Sequence, residues 1–100
     1  MVRARRYVRE HYAEPDLDLA AIAAYAEVSR NHLSWEFARE TGERLSSFIA
    51  RVRVEAAKEL LSETALKTYE IAERVGFSNV ETFCRVFKKV SGTTARGFSG

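Results

Sequence analysis

The sequence predicts an all-α fold with about seven helices, in which two helix-turn-helix units are joined by a long linker helix. Apolar residues recur at helical spacing along the chain, and no segment alternates as a half-buried strand does. The chain of 100 residues has five glycines and one proline, and 46% of it is hydrophobic, which is typical of a folded domain. A short helix, a turn and a longer helix occur twice. The length suits a single domain.

The first unit is predicted to contain three helices. Proline cannot continue a helix, so the first helix ends before Pro15. Asp18 and Ser29 are favourable N-cap residues for the second and third helices, and Gly42 ends the third. The predicted ranges are residues 2–13, 19–25 and 30–40.

The linker helix and the second unit follow. Ser46 or Ser47 opens the linker helix. Ser78, with Glu81 three residues later, has the capping-box pattern that starts a sixth helix. The predicted helices span about residues 47–61, 69–75 and 79–90, and a weak last helix follows Thr93. The resulting division is a first unit over residues 1–45, a linker helix over 46–62 and a second unit over 63–100.

The sixth helix separates an apolar face from a charged face. At about 100° per residue, the apolar face comprises Val80, Phe83, Val86, Phe87 and Val90, which we expect in the core. The charged face comprises Glu81, Arg85 and Lys88. The net charge of the chain is only +2, but residues 77–96 are locally basic. A basic face of this kind is either simply solvated or a surface for an acidic partner.

The chain contains an internal repeat. IAAYAEVSRNHLSWEFARETG (22–42) resembles IAERVGFSNVETFCRVFKKVSG (71–92), and the second copy has one extra residue before its core aromatic residue. After that insertion the copies match at a constant offset of 50. The matched pairs include Leu33 with Phe83, Phe37 with Phe87 and Gly42 with Gly92. Two helix-turn-helix patterns joined by one helix are far more specific than a single pattern.

These motifs resemble the DNA-binding domain of the AraC/XylS family of bacterial transcription regulators over nearly the whole chain. The matching segments are LAAIAAYAEVSRNHLSWEFARETG (19–42), FIARVRVEAAKELL (48–61) and IAERVGFSNVETFCRVFKKVSGTT (71–94). The resemblance implies two recognition helices on one rigid linker helix, each placed in the major groove of adjacent turns of DNA.

Helix geometry agrees with this implication. A linker helix of about 16 residues is roughly 24 Å long. With its flanking helices it can hold two recognition helices about one DNA turn, roughly 34 Å, apart. Because this spacing would come from a tandem repeat rather than from two-fold symmetry, the DNA site should be asymmetric.

Three positions depart from the family pattern. Glu27 stands in the first turn where the family usually has glycine, so a left-handed backbone there would be strained or the turn would differ. Lys67 replaces the usual hydroxyl cap of the fifth helix. Ala95 replaces a usual proline, so we expect the last helix to be short.

The third helix turns Asn31, Ser34 and Trp35 away from its apolar residues. A lone tryptophan in a small domain is commonly a core residue. However, Trp35 matches Arg85 at the offset of 50, and the resemblance gives the position of Arg85 a base-contacting role. We therefore expect Trp35 to contact bases, packing on thymine methyls, while Asn31 could pair with adenine and Ser34 flanks it.

Arg85 is the principal base-contacting candidate of the second unit, because a guanidinium can bond both O6 and N7 of guanine. An ion pair with Glu81, one turn earlier, is the alternative role. The two roles are compatible if Glu81 positions Arg85 or accepts a hydrogen bond from a cytosine amine. Cys84, the match of Ser34, is expected to be a small, partly buried side chain.

Phosphate contacts should set affinity and its salt dependence rather than sequence choice. The expected side chains are Arg30, Arg39, Ser78, Lys88 and Lys89, together with backbone amides at the starts of the recognition helices. Arg51 and Arg53 on the linker helix are ambiguous. The resemblance favours Arg53 as a structural partner between the units.

The titratable residues do not suggest an enzyme. His11 and His32 stand alone, no Cys/His spacing suits a metal, and no Gly-rich phosphate loop occurs. We therefore expect no catalytic residue, metal ligand or cofactor. No run approaches the roughly 18 apolar residues of a membrane span, and no signal-peptide core follows the N-terminal arginines, so we expect a cytoplasmic protein without a membrane partner.

The expected partner is double-stranded DNA. By resemblance, RNA polymerase is a second partner and activation is the expected output. The family usually joins this domain to a sensor or dimerisation domain, so the chain is either a stand-alone regulator or the C-terminal piece of a longer one. The alternative is a helical protein-interaction module whose basic face meets an acidic protein.

Overall fold

The computed structural model describes residues 2–99, and within this range it contains seven α-helices and no strand. The helices are α1 (Val2–His11), α2 (Leu19–Ala26), α3 (Arg30–Thr41), α4 (Leu45–Glu63), α5 (Thr68–Arg74), α6 (Val80–Ser91) and α7 (Ala95–Ser99). The all-α fold class is confirmed. Met1 and Gly100, which the ranges predicted for the two units include, lie outside the described residues.

Side-chain caps start both helices of the first helix-turn-helix unit. The Asp18 carboxylate accepts a hydrogen bond from the Ala21 N–H at 2.9 Å, which begins α2. The Ser29 hydroxyl accepts one from the His32 N–H at 3.1 Å, which begins α3. Both predicted caps are confirmed, because each side-chain oxygen satisfies a backbone donor that the helix leaves unpaired.

The predicted capping box of Ser78 and Glu81 is wrong. Asn79 is the N-cap of α6, and its side-chain oxygen accepts from the Thr82 N–H at 2.8 Å. Asn79 lies 50 residues after Ser29, whereas Ser78 lies 49 residues after it. The cap therefore follows the repeat, and Ser78 is the one extra residue of the second copy.

Two further helix bounds differ from the prediction. α1 ends at His11, two residues early, in a turn in which the Glu14 N–H donates to the His11 carbonyl at 3.0 Å. Beyond it, the carbonyl groups of Tyr12 and Glu14 accept hydrogen bonds from Arg53 of α4. α4 begins at Leu45 with Arg44 as its N-cap and without a side-chain capping bond, so the predicted serine cap is wrong.

The fifth helix compensates for its missing hydroxyl cap. The Glu70 carboxylate accepts a hydrogen bond from the Lys67 N–H at 3.0 Å, which satisfies a donor at the start of α5 from within the helix. The short α7 is present as expected, and the Thr94 hydroxyl accepts from the Gly97 N–H at 2.9 Å.

Two hydrophobic cores divide α4 between them. The first core combines the N-terminal half of α4 with α1, α2 and α3, and it includes Val8, Ile22, Leu33, Phe37, Phe48 and Val52. The second combines the following turns of α4 with α5, α6 and α7, and it includes Val54, Ala57, Ile71, Phe83, Phe87 and Ala95. Tyr12 packs against both cores. The linker helix is thus a structural part of each unit.

The apolar face predicted for α6 is too wide. Phe83 and Phe87 are fully buried and Val86 is half-buried, but Val80 and Val90 are 37% and 39% exposed. Val80 is the first residue of α6 and Val90 the last but one, so both lie beyond the ring cluster that Phe83 and Phe87 form in the middle of the helix.

Candidate nucleic-acid interface

The longer helices of the two units, α3 and α6, start and end with equivalent geometry. Their N-caps, Ser29 and Asn79, are 50 residues apart. Their C-caps, Gly42 and Gly92, also differ by 50, and both have left-handed backbone with φ of 78° and 81°. The internal repeat is therefore a repeat of three-dimensional structure.

A hydroxyl hydrogen-bond bracket repeats at the same offset. The Thr41 hydroxyl donates to the Phe37 carbonyl at 2.7 Å and accepts from the Glu43 N–H at 3.3 Å. The Ser91 hydroxyl donates to the Phe87 carbonyl at 2.7 Å and accepts from the Thr93 N–H at 3.4 Å. Each bracket ties the end of the helix to the segment that follows it, so α3 and α6 are held in equivalent frames.

The predicted residues of α3 lie on its outer side. Asn31 is exposed, Ser34 is half-buried, and Trp35 is 60% exposed. Trp35 is therefore not a core residue, and the core interpretation of the lone tryptophan is wrong. Leu33 and Phe37 fill the core from the opposite side of the same helix.

The Arg39 guanidinium stacks over Trp35. Its central carbon lies 4.9 Å from the centre of the indole ring, which is a cation–π geometry. The contact orders two large exposed side chains one turn apart. Arg39, predicted to contact phosphate, is thus held beside the residue predicted to contact bases.

A groove runs along the outer side of α3, and its lining includes residues that the sequence interpretation missed. Leu19, Arg44 and Ser46 line it together with Asn31, Ser34 and Trp35. Ser46 was assigned only a capping role, and Arg44 no role. A usable signal existed for Arg44, because it follows the end of α3 at Thr41 by only three residues, so the chain is still close to that helix.

The predicted residues of α6 are also exposed. They are Glu81, Arg85, Lys88 and Lys89. Among residues 2–99 no ion pair joins Arg85 to Glu81, so the alternative role of Arg85 is not realised in the structure. Val80, which was predicted to lie in the core because it is apolar, is exposed beside Glu81. Its match at the offset of 50 is the charged residue Arg30, and this match could have indicated that Val80 lies at the surface.

The remaining predicted contacts are surface residues as well. Arg30 is exposed at the start of α3, and Ser78 is exposed just before Asn79, the N-cap of α6. Cys84 is exposed rather than partly buried. It follows Phe83 directly on α6, and only its neighbour faces the core.

Two separate grooves lie beside α3 and α6, and Leu19 of α2 lines both of them. Leu19 of α2 lines one groove with Asn31 and Ser34, and a second groove with Phe77 and Val86. The described chain is 42 Å long and 22 by 21 Å across. This length is sufficient to span one turn of DNA, roughly 34 Å.

The two arginines of α4 are both engaged within the protein. The Arg51 guanidinium lies 2.8 Å from the Glu43 carboxylate and 3.4 Å from that of Glu55. The hydrogen bond to Glu43 is the main cause that raises the pKa of Arg51 above its ordinary value, against an opposing effect of burial. Arg53 binds the two backbone carbonyls described above, and burial lowers its pKa. Neither matches a base-reading role.

Residues 2–99 hold no cluster of three or more His, Cys, Asp or Glu side chains arranged to bind a metal ion. No helix in the same range combines the length and apolar character that would let it cross a membrane.

The amino-acid sequence matches the family of helix-turn-helix domains over residues 22–99. The chain belongs to the AraC/XylS family. The Arabinose operon regulatory protein of Escherichia coli (strain K12) is 33% identical over 95 residues, which are 95% of this chain and 32% of that protein. The chain therefore spans about a third of the length of this curated relative.

Solved structures agree with this AraC/XylS assignment. The C-terminal domain of AraT, a response regulator from Geobacillus stearothermophilus, superposes with a TM-score of 0.95 at 36% identity, covering 98% of this chain and 81% of that one. The DNA-binding domain of AdpA, solved in complex with a target DNA, has a TM-score of 0.90 at 24% identity over 98% of this chain and 87% of that one, and shares the fold. Family and fold are those of DNA-binding transcription regulators.

Proposed function

We propose that this domain binds an asymmetric site in double-stranded DNA, with α3 and α6 in successive major grooves, as the DNA-reading part of a bacterial transcription regulator. The observation that carries the proposal is the repeat of structure. Two helices with equivalent caps and brackets bury one side in separate cores and expose the other, and one helix, α4, belongs to both cores.

The proposed base contacts come from the outer sides of the two helices. Asn31, Ser34 and Trp35 would read the first half of the site, and Glu81 and Arg85 the second half. Arg85 suits guanine because its fork of donors matches O6 and N7, whereas the indole of Trp35 suits the methyl groups of thymine.

The proposed phosphate contacts flank these residues. They are Arg30 and Arg39 on α3, and Ser78, Lys88 and Lys89 around α6. α6 carries one arginine and two lysines against one glutamate, whereas α3 carries two arginines and two glutamates. The second unit should therefore supply more of the salt-dependent affinity.

For the whole regulator we propose a cytoplasmic protein that acts on RNA polymerase, with activation as its output. The relative's name supports regulation of an operon. A sensor or dimerisation domain elsewhere in the protein would supply the signal.

Selection of binding sites from a pool of random duplexes tests the proposal. We expect a short asymmetric consensus with two parts about 10 base pairs apart, and an affinity that falls steeply as salt rises. Binding without any consensus would contradict the proposal. Failure to bind DNA at low salt would instead favour the protein-interaction module.

Arg85 provides the sharpest single test. Arg85→Ala should cost about 1–3 kcal/mol and relax the choice at one base pair. Arg85→Lys keeps the charge but loses the bidentate fork, so selectivity should fall while the salt dependence is retained. Arg5→Ala, which removes an exposed arginine of α1, is the matched control. Equal weakening on every sequence would show that Arg85 contacts only phosphate.

A further inference from the structure

One arginine of α4 joins both helix-turn-helix units. Arg53 donates from Nε to the Tyr12 carbonyl at 2.8 Å and from Nη2 to the Glu14 carbonyl at 3.0 Å. Both carbonyls follow the end of α1 in the first unit. The central carbon of the same guanidinium lies 5.5 Å from the ring centre of Phe77, in the turn of the second unit. We call these residues, with Gly76, the Arg53 joint.

Gly76 completes the joint through close backbone contact. A Cβ atom at this position would lie 2.3 Å from the Tyr12 carbonyl oxygen and 2.9 Å from Nε of Arg53. The turn of the second unit therefore rests directly on the chain that leaves α1. Tyr12 itself packs against both hydrophobic cores.

The joint is connected to α6 by packed rings, and to α3 through α1 and α2. On one side, Phe77 packs edge-on against Phe83 of α6, with ring centres 5.4 Å apart. On the other side, Tyr7 of α1 packs against Tyr25 of α2 at 4.6 Å, and α2 leads through the first turn into α3. A shift at the joint would therefore move α6 relative to α3.

The electrostatics of Arg53 favour one fixed geometry. Burial lowers the pKa of Arg53, but an arginine side chain stays charged in proteins. Its charge is half-buried, and the two carbonyls compensate for the lost water. Loss of either hydrogen bond would leave a poorly solvated cation, so the guanidinium stays fixed on the segment that follows α1, with the Phe77 ring of the second unit packed against it.

We infer that Arg53 is a positioning residue that sets the separation and rotation between α3 and α6, and thereby the spacing between the two halves of a DNA site that the domain accepts. The DNA part of this inference rests on the proposed function. The competing possibility is that α4 alone, as a shared rigid helix, sets the geometry. Removal of the guanidinium distinguishes these two possibilities, because it leaves α4 and both cores in place.

Spin labels test the protein part of the inference without DNA. Cys84 is the one cysteine of the sequence, and it lies exposed on α6. With Asn31→Cys it gives one label on each recognition helix. Electron–electron distance measurements should give a narrow distribution for this labelled protein and a clearly broader or shifted one when Arg53→Met is added.

Arg51→Met is the matched control. Arg51 lies two residues earlier on α4 and pairs with Glu43 and Glu55 rather than with the second unit. The distance distribution of the doubly labelled Arg51→Met protein should stay narrow. An Arg53→Met distribution identical to the control would overturn the inference.

If circular dichroism shows that Arg53→Met does not fold, Arg53→Lys decides instead. A lysine keeps the charge and can donate to one carbonyl, but it lacks the rigid fork. We expect a distribution wider than that of the unsubstituted protein. A distribution of unchanged width would contradict the positioning role.

DNA duplexes in which the two halves of the selected site are moved apart test the DNA part of the inference, that Arg53 sets the accepted spacing. Wild-type protein should bind much less tightly when one base pair is inserted between the two halves of the site. For Arg53→Met, the affinity ratio between the original and the lengthened duplex should fall by roughly tenfold, because loosely coupled units tolerate a changed separation. An unchanged ratio, with weaker binding to both duplexes, would indicate a general structural role and overturn the inference. If no DNA is bound, the proposed function fails, while the spin-label distances still test the joint.

Discussion

The turns of the two helix-turn-helix units occupy equivalent places, and both need a left-handed backbone conformation, but different residue types adopt it. The first turn has Glu27 at φ 60° and the second has Gly76 at φ 98°. In both, the next residue returns a hydrogen bond to the preceding helix: Val28 to Ala23 at 3.0 Å, and Phe77 to Ala72 at 3.0 Å. The left-handed conformation is thus required by the motif rather than by the residue type.

The surroundings explain why only the second turn needs glycine. Glu27 is exposed, so its side chain points into solvent and the turn bears only the local cost of a left-handed non-glycine residue. Gly76 is buried against Tyr12 and Arg53, where no Cβ fits. The difference teaches that the second turn is an interface between units, whereas the first is a surface turn.

The largest expected effect comes from replacing the left-handed residue of each turn. Gly76→Ala should lower the free energy of unfolding by roughly 2–5 kcal/mol, since it combines a left-handed alanine with overpacking against backbone. Glu27→Gly should be neutral or stabilise by up to about 1 kcal/mol. Urea denaturation measures both. Equal effects of the two substitutions would show that the turns are not different environments.

The helices α3 and α6 offer a second comparison, and the substitution that tests it has an intermediate expected effect. Trp35→Arg makes the outer side of α3 resemble that of α6 at the matched position. A reselected site should gain a guanine in its first half, worth about 1–3 kcal/mol of discrimination. Trp35→Phe is the control that retains an apolar ring and should retain the original preference. If neither variant changes the selected bases, Trp35 does not read DNA.

The smallest effects concern the caps. Ser29→Ala and Asn79→Ala should each lower the free energy of unfolding by about 1 kcal/mol, because each leaves a backbone donor at a helix start unpaired. Ser78→Ala should change it by no more than about 0.5 kcal/mol, as a surface substitution. Thermal or urea unfolding of the three variants checks the order. A larger loss for Ser78→Ala than for Asn79→Ala would restore the original capping assignment.

Local patterns predicted most of the fold. The seven helices and the caps at Asp18 and Ser29 follow from apolar spacing and short-range hydrogen bonding, which a sequence displays directly. The same reasoning failed at Ser78. Its sequence has the capping-box pattern, but the helix begins one residue later, at the position that the repeat with the first unit specifies. It also failed at Val80 and Val90, because periodicity gives the direction of a side chain but not how far the core extends along the helix.

The candidate site was predicted as a set of outward residues, and the structure exposes all of them except Ser34, which is half-buried. Trp35 was identified through its repeat partner, not through composition. Arg44 and the stacking of Arg39 on Trp35 were missed, because both depend on side chains that approach one another across a groove or along a surface.

The sequence by itself determined the helices, the repeat and the two outward faces, because caps and periodicity act over a few neighbouring residues. Only the tertiary structure decided that Ser78 is the inserted residue, that α4 is shared between two cores, and that Gly76 admits no side chain. The hydrogen bond from Arg53 to Tyr12 joins residues 41 positions apart. Contacts at that range depend on how the helices pack, and no local pattern encodes them.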